Sequence, residues 1–329
     1  MTDTLQAIAI AHSNIALIKY WGKLARPGNY PAVPSLSLTL DAFSTRTEVC
    51  FDKRLKCDEF RLDGEPTIGR ALERVSQLLE TVRANAGLDV FARVTSSNNY
   101  PTASGLASSA SGFAALSVAA THAASLTWSQ GEQSALARSC SASAARSVFG
   151  GWTTLDVGAE GASTLRGVED WPIALVVAIT DSSPKAIGST EAMIRCSKTS
   201  PCYSAWLESA PLLFAKACEA VRQRDIETLG ECMEASTWFM HSTMLTANPA
   251  VLYLAPTTIA IVHALQRKRS SKVPAFFTTD AGAHVKVLTL AEHAETVKAW
   301  LLGIAGVSRV EICRPGPSAH VVEPNGQKS

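Results

Sequence analysis

The stretch SSNNYPTASGLASSASGFAAL, residues 96–116, joins a predicted strand to a predicted helix and decides the fold of the first half of the chain. It contains six serines, two glycines and five alanines in twenty-one residues. Pro101 should end the strand, and Gly105 permits a turn that residues with a Cβ atom resist. The helix should then begin near Ala107 and Ser108. Unpaired N–H groups at a helix start attract phosphate, and small side chains let an anion approach them.

Composition leaves two interpretations of this stretch open. It could be a cradle for a polyphosphate, with hydroxyl donors from Ser108, Ser109 and Ser111. It could equally be a tightly packed helix whose alanines and serines let neighbouring helices come close. A glycine-rich turn is a weak motif by itself, and the Gly-Lys-Ser/Thr sequence of a Walker loop does not follow.

The composition of the whole chain is that of a globular protein without special affinity for polyanions. The chain has 329 residues, of which 47% are hydrophobic and 18% are charged, and its net charge is +1. This length favours two domains, and the charge balance gives no reason to expect nucleic acid as a partner. The first residues lack the basic start of a signal peptide, and no apolar stretch is long enough to span a membrane. Eight scattered cysteines without a C-x-x-C pair predict reduced thiols in a cytoplasmic protein.

Hydrophobic periodicity predicts an α+β architecture with two layers in each half and a boundary near residue 170, which gives domains 1–170 and 171–329. Pro211, Pro249 and Pro256 should interrupt the helices between residues 203 and 269, with helix starts at Asn248-Pro249 and at Pro256-Thr257. The tail after Pro315 should be loose. The dense basic run at residues 267–269 should be a solvated helix end. Strands are predicted at residues 6–12, 34–40, 45–51, 57–63, 90–97, 171–181, 274–280, 284–290 and 308–314. Helices are predicted at residues 68–82, with Ile68 on the apolar face and Gly87 able to close the helix, from about 107, and at 291–302. A further helix is predicted from Ser129, which has capping-box spacing to Glu132.

Two further segments could bind anions. In CSASAARSVFGG, residues 140–151, serines and a glycine pair surround Arg146, whose guanidinium can grip a carboxylate or phosphate with two parallel hydrogen bonds. The alternative is an arginine on a solvated helix face, but its neighbours are apolar or very small. In SNIALIKYWGK, residues 13–23, polar and aromatic side chains crowd a strand end. Taken alone, this segment is more typical of core aromatic residues and solvated lysines than of a binding site.

Two segments in the second half complete the set. TDSSPKAIGSTEAM, residues 180–193, places Lys185 four residues before Ser189 in a loop that leaves a buried strand. TTDAGAHV, residues 278–285, puts Asp280 at a strand end before a tight turn. A lone aspartate at a strand end usually caps a turn, so this motif carries little meaning by itself.

In this order, the five segments resemble the mevalonate diphosphate decarboxylases, a family within the superfamily of galactokinase, homoserine kinase, mevalonate kinase and phosphomevalonate kinase. The resemblance extends from about Ala11 to Leu288 and is carried by NIALIKYWGK, NNYPTASGLASSASGFAAL, ARSVFGG, KAIGSTEAM and FTTDAGAHVKVL. It implies a two-domain GHMP-kinase-like fold, with a ribosomal-protein-S5-domain-2-like N-terminal domain and a ferredoxin-like α/β sandwich after it. The active site is expected in the cleft between them.

The resemblance also implies a reaction. The family converts mevalonate 5-diphosphate and ATP into isopentenyl diphosphate, ADP, phosphate and carbon dioxide. The tertiary 3-hydroxyl is phosphorylated first, and loss of that phosphate is followed by loss of the carboxylate as carbon dioxide. Mg²⁺ should accompany ATP because it neutralises phosphate oxygens during transfer. A homodimer in the cytoplasm is expected on the same ground.

Residue roles follow from the resemblance position by position. Asp280 would accept or orient the 3-hydroxyl proton, and Arg146 would bind the C1 carboxylate. Asn14 would hydrogen-bond the hydroxyl or Arg146, and Lys19 would tune Asp280. The substrate's diphosphate would contact Tyr20, Lys23, Ser141, Ser143 and Ser189. The nucleotide would contact Asn98, Ser104, Gly105, Leu106, Ala107, Ser108, Ser109 and Lys185, with Ser108 on the γ-phosphate and Ser109 near the metal.

The chain departs from the family pattern at two places. Cys140-Ser141-Ala142-Ser143 stands where the family usually reads Gly-Ser-Gly-Ser, so the local backbone cannot use glycine-only angles. DAGAH replaces the more usual D-A-G-P-N, which concerns the turn after Asp280. The alternative functions are a kinase that phosphorylates the 3-hydroxyl and stops, a decarboxylase that prefers the monophosphate, and a non-catalytic ligand-binding relative.

Overall fold

The computed structural model describes residues 5–100, 108–169, 171–180, 187–270 and 272–323. The strands in these ranges are β1 Gln6–Ile18, β2 Ser35–Phe51, β3 Glu59–Leu62, β4 Glu65–Pro66, β5 Ala92–Asn98, β6 Trp152–Leu155, β7 Ser163–Arg166, β8 Ile173–Ile179, β9 Phe276–Thr279, β10 Val285–Leu290, β11 Arg309–Cys313 and β12 His320–Val322. The α-helices are α1 Arg70–Ala86, α2 Ser108–Ala123, α3 Gln130–Cys140, α4 Ala144–Ser147, α5 Ser189–Thr199, α6 Tyr203–Gln223, α7 Ile226–Leu245, α8 Pro256–Lys268 and α9 Ala294–Leu302. A short 3₁₀ helix, Ala291–His293, precedes α9.

Two β-sheets organise these elements. The larger sheet has the order β12-β1-β2-β5-β3-β4, and β6 joins it through β2 and carries β7 at its edge. Its pairings are antiparallel except that of β3 with β5. The smaller sheet is antiparallel throughout, in the order β11-β8-β10-β9. Helix α2 packs on β1 and β2, and helix α7 packs on β9. The predicted α+β fold is therefore confirmed.

Helix α2 begins within residues 96–116, for which the sequence left open a tightly packed helix or a cradle for a polyphosphate. Its body is buried on nearly all sides, as the small residues allow, and Ser111 hydrogen-bonds Ser13 at 3.3 Å and Thr45 at 2.7 Å. Its first two residues, Ser108 and Ser109, instead line a cavity. Dense packing thus explains the helix body, whereas the serines at its start face open space.

Helix α1 shows where local signals succeed and where they fail. Gly87 ends the helix with a φ of 64°, a left-handed conformation that glycine adopts without strain. Ile68, which the periodicity places on the buried face, lies before the helix start and is 82% exposed. Ser129 and Glu132 form the predicted capping box of helix α3.

Four other predictions are wrong. Residues 34–40 and 45–51 belong to one long strand, β2, rather than two. Pro211 lies inside helix α6, although a proline removes one hydrogen bond of a helix interior. Asn248-Pro249 begins no helix; it follows α7, whereas Pro256 does begin α8. The tail is ordered at β12, which pairs antiparallel with β1.

The basic run at residues 267–269 is not simply solvated. Arg269 packs over the ring of Phe276 with its guanidinium carbon 4.3 Å from the ring centroid, and it donates to the Ala275 carbonyl at 2.7 Å. It also pairs with Glu234, and only 24% of its side chain is exposed. Arg269 therefore anchors the end of α8 to the smaller sheet.

The two sheets share a hydrophobic core. Leu17 and Leu36 from the larger sheet pack in one cluster with Leu175 from the smaller sheet and Leu229 from α7. The last strand, β12, returns the chain to the larger sheet. The division into domains 1–170 and 171–329 stays a prediction. In the ranges that the structure describes, no helix has both the length and the apolar character needed to cross a membrane.

Candidate active site

Asp280 lies directly after β9 and is held by two lysines. Lys19, at the end of β1, donates from Nζ to Oδ1 at 2.6 Å. Lys286, from β10, donates from Nζ to Oδ2 at 2.9 Å. Both lysine side chains are 1% exposed, whereas 31% of the Asp280 side chain remains accessible. The carboxylate is thus clamped from behind by both lysines and keeps an accessible edge.

The two lysines determine the protonation state of the Asp280 carboxyl. Burial alone would raise the pKa of the Asp280 carboxyl, but Lys19 and Lys286 outweigh it and hold that pKa far below its usual range. Burial lowers the pKa of Lys19 to about 8, although Asp280 acts in the opposite direction. His241 donates to or accepts from Thr279 Oγ1 at 2.7 Å, and burial together with Lys19 lowers its pKa to about 4. At neutral pH the cluster therefore contains an ionised aspartate, a charged Lys19 and a neutral histidine.

Arg146, in the short helix α4, is 1% exposed and is anchored by two neutral oxygens. Its Nη1 donates to Ser35 Oγ at 2.7 Å, and its Nε donates to Asn14 Oδ1 at 3.3 Å. The Asn14 amide in turn donates to the Ser143 carbonyl at 2.9 Å and to Ser147 Oγ at 2.7 Å. Neither anchor of the guanidinium is an acid, so its charge is left available for an anion.

Arg146 and Asp280 belong to one electrostatic cluster. Burial lowers the pKa of Arg146 to about 10, with Tyr20 and Asp280 acting in the opposite direction. Arg146 and Lys286 also contribute to the lowered pKa of Lys19. Two buried lysines therefore contact the single carboxylate, and the buried Arg146 acts on it electrostatically without a direct hydrogen bond. The three cations outnumber this one acid, which favours binding of an added anion.

Tyr20 brings an unsatisfied hydroxyl to the same cluster. Its Oη is buried and has no hydrogen-bond partner among the described residues. Burial raises the pKa of this phenol, against the effect of Arg146, so the group is a neutral donor. A buried hydroxyl without a partner costs free energy, and a bound anion would remove that cost. Tyr20 therefore fits the predicted contact with a phosphate.

A second cationic position lies beside the serines that precede α4. Lys23 donates from Nζ to Asn29 Oδ1 at 2.7 Å and to Thr190 Oγ1 at 3.3 Å, which places it next to Ser189 at the start of α5. Ser141 and Ser143 contact each other through their hydroxyls at 3.2 Å. Hydroxyl donors and a cation thus lie in neighbouring segments, as a diphosphate requires.

The missing glycines at residues 140–143 do not strain the backbone. Ser141 has a φ of −153° and Ser143 a φ of −66°, both ordinary for residues with a side chain. Cys140 and Ala142 are also absent from the residues with positive φ in the described ranges. The departure from the family pattern is therefore compatible with serines that point into the site.

Three of the residues predicted to contact the nucleotide line a cavity of about 180 Å³ between α1, α2 and β5. Asn98, Ser108 and Ser109 line it, together with apolar side chains that include Val75, Phe113 and Leu116. Ser104, Gly105, Leu106, Ala107 and Lys185 lie outside the described residues. An apolar pocket with a few polar groups at one end suits a flat heteroaromatic ring that carries phosphates.

The chemistry of the donors fits a metal that arrives with its ligand. No group of three or more histidine, cysteine, aspartate or glutamate side chains arranged to hold a metal ion is present in the part of the chain that the structure describes. Ser109 offers a hydroxyl oxygen at the cavity wall. Mg²⁺ commonly keeps waters and binds through substrate phosphates with one or two protein ligands, so a single hydroxyl is a suitable contribution.

Sequence reasoning missed Lys286 and Ser35. A signal existed for Lys286, because it is the only charged residue in HVKVLTL, a strand that is otherwise apolar and buried. Ser35 begins the alternating segment SLSLTL, in which the polar side chains could have been recognised as a lining for a buried arginine. Both contacts depend on the packing of separate elements, which a single segment does not reveal.

Comparison with known proteins agrees with this geometry. Residues 11–166 match the diphosphomevalonate decarboxylase-like N-terminal domain, and residues 175–312 match the mevalonate 5-diphosphate decarboxylase C-terminal domain. The diphosphomevalonate decarboxylase of Schizosaccharomyces pombe is 31% identical, covering 89% of this chain and 80% of that protein. The phosphomevalonate decarboxylase of Haloferax volcanii is 30% identical, covering 89% of this chain and 91% of that protein.

A solved structure, MDDEF in complex with MVAPP, AMPPCP and magnesium, has a similar fold. It superposes with a TM-score of 0.89 at 36% identity and covers 97% of this chain and 99% of that chain. The likeness extends through both sheets and through the matched domains of both halves. The chain therefore belongs to the diphosphomevalonate decarboxylase family.

Proposed function

We propose that this chain catalyses the ATP-dependent decarboxylation of mevalonate 5-diphosphate to isopentenyl diphosphate, ADP, phosphate and carbon dioxide. The observation that carries the proposal is the cluster in which Asp280 presents an accessible edge and contacts two buried lysines, with the buried Arg146 in electrostatic range of it. Such a site can orient a hydroxyl and bind a carboxylate at the same time. Membership of the diphosphomevalonate decarboxylase family supports the same reaction.

In the first step, the 3-hydroxyl oxygen attacks the γ-phosphorus of ATP and an O–P bond forms. The bond from the γ-phosphorus to the β–γ bridging oxygen breaks, and ADP leaves with that electron pair. The hydroxyl proton becomes strongly acidic as the new bond forms and passes by way of the Asp280 carboxylate to solvent. Asp280 accepts a hydrogen bond from this hydroxyl. A carboxylate held so strongly ionised is a weak base, so its main contribution is to orient the hydroxyl and to favour loss of its proton as the new bond forms. Lys19 and Lys286 keep the carboxylate in place while this happens.

In the second step, the C3–O bond breaks and phosphate leaves with the electron pair. The C1–C2 bond then breaks, its electrons form the C2–C3 double bond, and C1 departs as carbon dioxide. Arg146 binds the C1 carboxylate before this step and aligns the C1–C2 bond with the bond that breaks at C3. Its anchors, Ser35 and Asn14, fix the guanidinium without neutralising it.

The diphosphate of the substrate binds at the second cationic position. Lys23 supplies the charge, Ser141, Ser143 and Ser189 supply hydroxyl donors, and Tyr20 supplies its unpartnered hydroxyl. Several donors and a cation suit a multiply charged anion. Asn14 acts through Arg146, because its amide is already engaged by α4.

ATP occupies the cavity lined by Asn98, Ser108 and Ser109, with its phosphates toward the start of α2. Ser108 contacts the γ-phosphate, and Ser109 lies near Mg²⁺, which neutralises phosphate oxygens during transfer. We extend the phosphate contacts to Ser104, Gly105, Leu106, Ala107 and Lys185 from the resemblance alone. The related MDDEF complex contains AMPPCP and magnesium.

A monophosphate-specific decarboxylase is the second candidate. The observation that favours it is the similarity to the phosphomevalonate decarboxylase of Haloferax volcanii, which is 30% identical. Lys23 and the hydroxyls of three serines in neighbouring segments favour the diphosphate, since one phosphate would leave part of these donors unused.

One assay separates these possibilities. Carbon dioxide and ADP are measured from ATP with mevalonate, mevalonate 5-phosphate or mevalonate 5-diphosphate as the substrate. We expect equal amounts of both products and the highest kcat/KM with the diphosphate. ADP without carbon dioxide would identify a 3-kinase, and preference for the monophosphate would identify the second candidate. Neither product with any substrate would support a non-catalytic relative.

We also propose that the chain forms a homodimer in the cytoplasm, on the resemblance to its family. Light scattering after size-exclusion chromatography should give twice the chain mass of 34.9 kDa. A mass equal to one chain would contradict the dimer.

A further inference from the structure

Asn29 connects the two segments to which the proposed function assigns the substrate's diphosphate, and the inference drawn from it rests on that function. Its Oδ1 accepts a hydrogen bond from Lys23 Nζ at 2.7 Å. Its Nδ2 donates to the Ser139 carbonyl at 2.6 Å, two residues before Ser141. One carboxamide therefore contacts the cationic side chain and the chain segment that carries the serines.

The loop that carries Asn29 is itself firmly held. Leu24 N donates to the Tyr30 carbonyl at 2.9 Å, which closes the loop at its base. The Tyr30 ring lies between the guanidinium carbons of Arg26 and Arg138, at 3.5 Å and 3.6 Å from its centroid. Its hydroxyl donates to Glu160, at 2.8 Å from Oε2. Asn29 therefore lies in a loop whose base is closed by a hydrogen bond and whose Tyr30 is fixed by contacts with Arg26, Arg138 and Glu160.

The backbone at Asn29 explains why this residue type suits the position. Its φ of 58° lies in the left-handed region, which asparagine tolerates better than most residues with a side chain. Gly28 before it has a φ of 99°. These two consecutive residues with positive φ turn the chain, and the side chain of Asn29 reaches both Lys23 and the C-terminal end of helix α3.

A neutral acceptor also preserves the charge of Lys23. Its hydrogen-bond acceptors, Asn29 and Thr190, are both uncharged, and no ion pair of Lys23 with an acid is found among the described residues. Burial lowers the pKa of Lys23, and Arg74 and Arg70 act in the same direction. An aspartate at this position would pair with Lys23 and compete with a phosphate for it. The amide fixes the ammonium group without that competition.

We infer that Asn29 is a positioning residue for the substrate's diphosphate: it sets the place of Lys23 relative to the Ser141–Ser143 segment, so that one diphosphate can contact both. This spacing matters for substrates whose anionic group is long enough to contact Lys23 and the Ser141–Ser143 segment at the same time. A monophosphate can engage one side fully without depending on their separation.

The test is the variant Asn29→Gly, which removes the carboxamide and keeps the left-handed backbone. We expect the KM for mevalonate 5-diphosphate to rise about tenfold, with kcat and the KM for ATP unchanged within about twofold. Asn29→Asp should raise this KM further, because the carboxylate competes for Lys23. The matched control is Tyr30→Phe, which loosens the same loop without contacting Lys23, and its KM should stay within about twofold of the parent.

A double-mutant cycle with Lys23→Met separates positioning from general loop stability. If Asn29 acts through Lys23, adding Asn29→Gly to Lys23→Met should change the KM by less than about twofold. Equal effects of Asn29→Gly in both backgrounds, or a rise in KM for Tyr30→Phe as large as that for Asn29→Gly, would overturn the inference. So would an unchanged KM in Asn29→Gly. An inactive parent protein, or a Lys23→Met variant with normal KM, would instead contradict the proposed function.

Discussion

The charged cluster around Asp280 and the cavity beside α2 solve different physical problems. In the cluster, Lys19, Lys286 and Arg146 are each 1% exposed, and every one is fixed by at least one hydrogen bond. The cavity is mostly apolar and is walled by side chains such as Val75 and Phe113. The cluster therefore supplies oriented charge, whereas the cavity supplies shape.

This difference separates the kinetic effects that substitutions should have. Fixed charges act most strongly on a transition state in which charge develops, so changes in the cluster should lower kcat. In the proposed function, the apolar walls of the cavity contact the nucleotide in the same way throughout the reaction. Changes in the cavity should then raise the KM for ATP and leave kcat intact. Variants in both regions test whether the effects on kcat and on KM separate in this way.

The largest effect is expected for Asp280→Asn. The amide keeps the shape but removes the charge that Lys19 and Lys286 hold, so kcat should fall roughly a thousandfold or more. Calorimetry should show ATP and substrate still binding. Turnover close to that of the parent would remove Asp280 from the mechanism.

Arg146→Lys should lower kcat about a hundredfold, because one ammonium group cannot replace a two-pronged grip on a carboxylate. The matched control is Arg83→Lys, since Arg83 is also buried but pairs with Asp58 at 2.8 Å, away from the cluster. The control should lose thermal stability and keep its kcat. An unchanged rate in Arg146→Lys would make Arg146 purely structural.

Lys286→Met should lower kcat about tenfold, because Asp280 keeps Lys19 but loses the second clamp. The pKa of Asp280 should rise, so the acid limb of the pH–rate profile should move to higher pH. Lys198→Met, on the exposed side of α5, is the control. A changed melting temperature with an unmoved acid limb would assign Lys286 a structural role only.

A change of similar size in kcat/KM is expected from Lys19 on the alkaline side of the pH–rate profile. Lys19 has a pKa lowered to about 8, so the free enzyme loses its charge as the pH rises through that value. kcat/KM should then fall about tenfold per pH unit above this point. The stability of the folded state should rise with pH between about 8 and 10.5, because the unfolded chain binds the proton more tightly there. A flat kcat/KM profile to pH 10 would contradict a role for charged Lys19.

The smallest effect is expected in the cavity. Ala71 lies on the exposed side of α1 and lines the cavity, so Ala71→Phe should partly fill it without disturbing the core. The KM for ATP should rise several-fold to about tenfold, with kcat and the KM for mevalonate 5-diphosphate unchanged. Ala71→Ser is the control of similar size. A fall in kcat would show that the cavity is coupled to the charged cluster.

The sequence predicted helices and strands well where local signals determine them and poorly where tertiary packing does. Periodicity and turn residues located β8, β9, β10 and the capping box of α3, since these depend on local signals. The proline rule failed at Pro211, where both halves of α6 are buried through residues such as Trp206 and Ala217. Tertiary packing there outweighs the loss of one hydrogen bond.

The residues of the candidate active site could likewise be predicted only in part from the sequence. The order of five individually weak segments, and the family resemblance that they carry, pointed to Asp280, Arg146 and Lys19. Lys286 and Asn29 contribute only through contacts with other elements. The register that pairs Lys286 with Thr278 brings it beside Asp280, and the turn at Asn29 reaches helix α3. Those distances arise from the assembled fold and leave little trace in any one segment.

The most direct test is a crystal structure of this chain with mevalonate 5-diphosphate, a non-hydrolysable ATP analogue and Mg²⁺. We predict the substrate's 3-hydroxyl in hydrogen-bond contact with the accessible edge of Asp280, and its carboxylate paired with the Arg146 guanidinium. A substrate whose hydroxyl and carboxylate both lie out of reach of these two side chains would contradict the account.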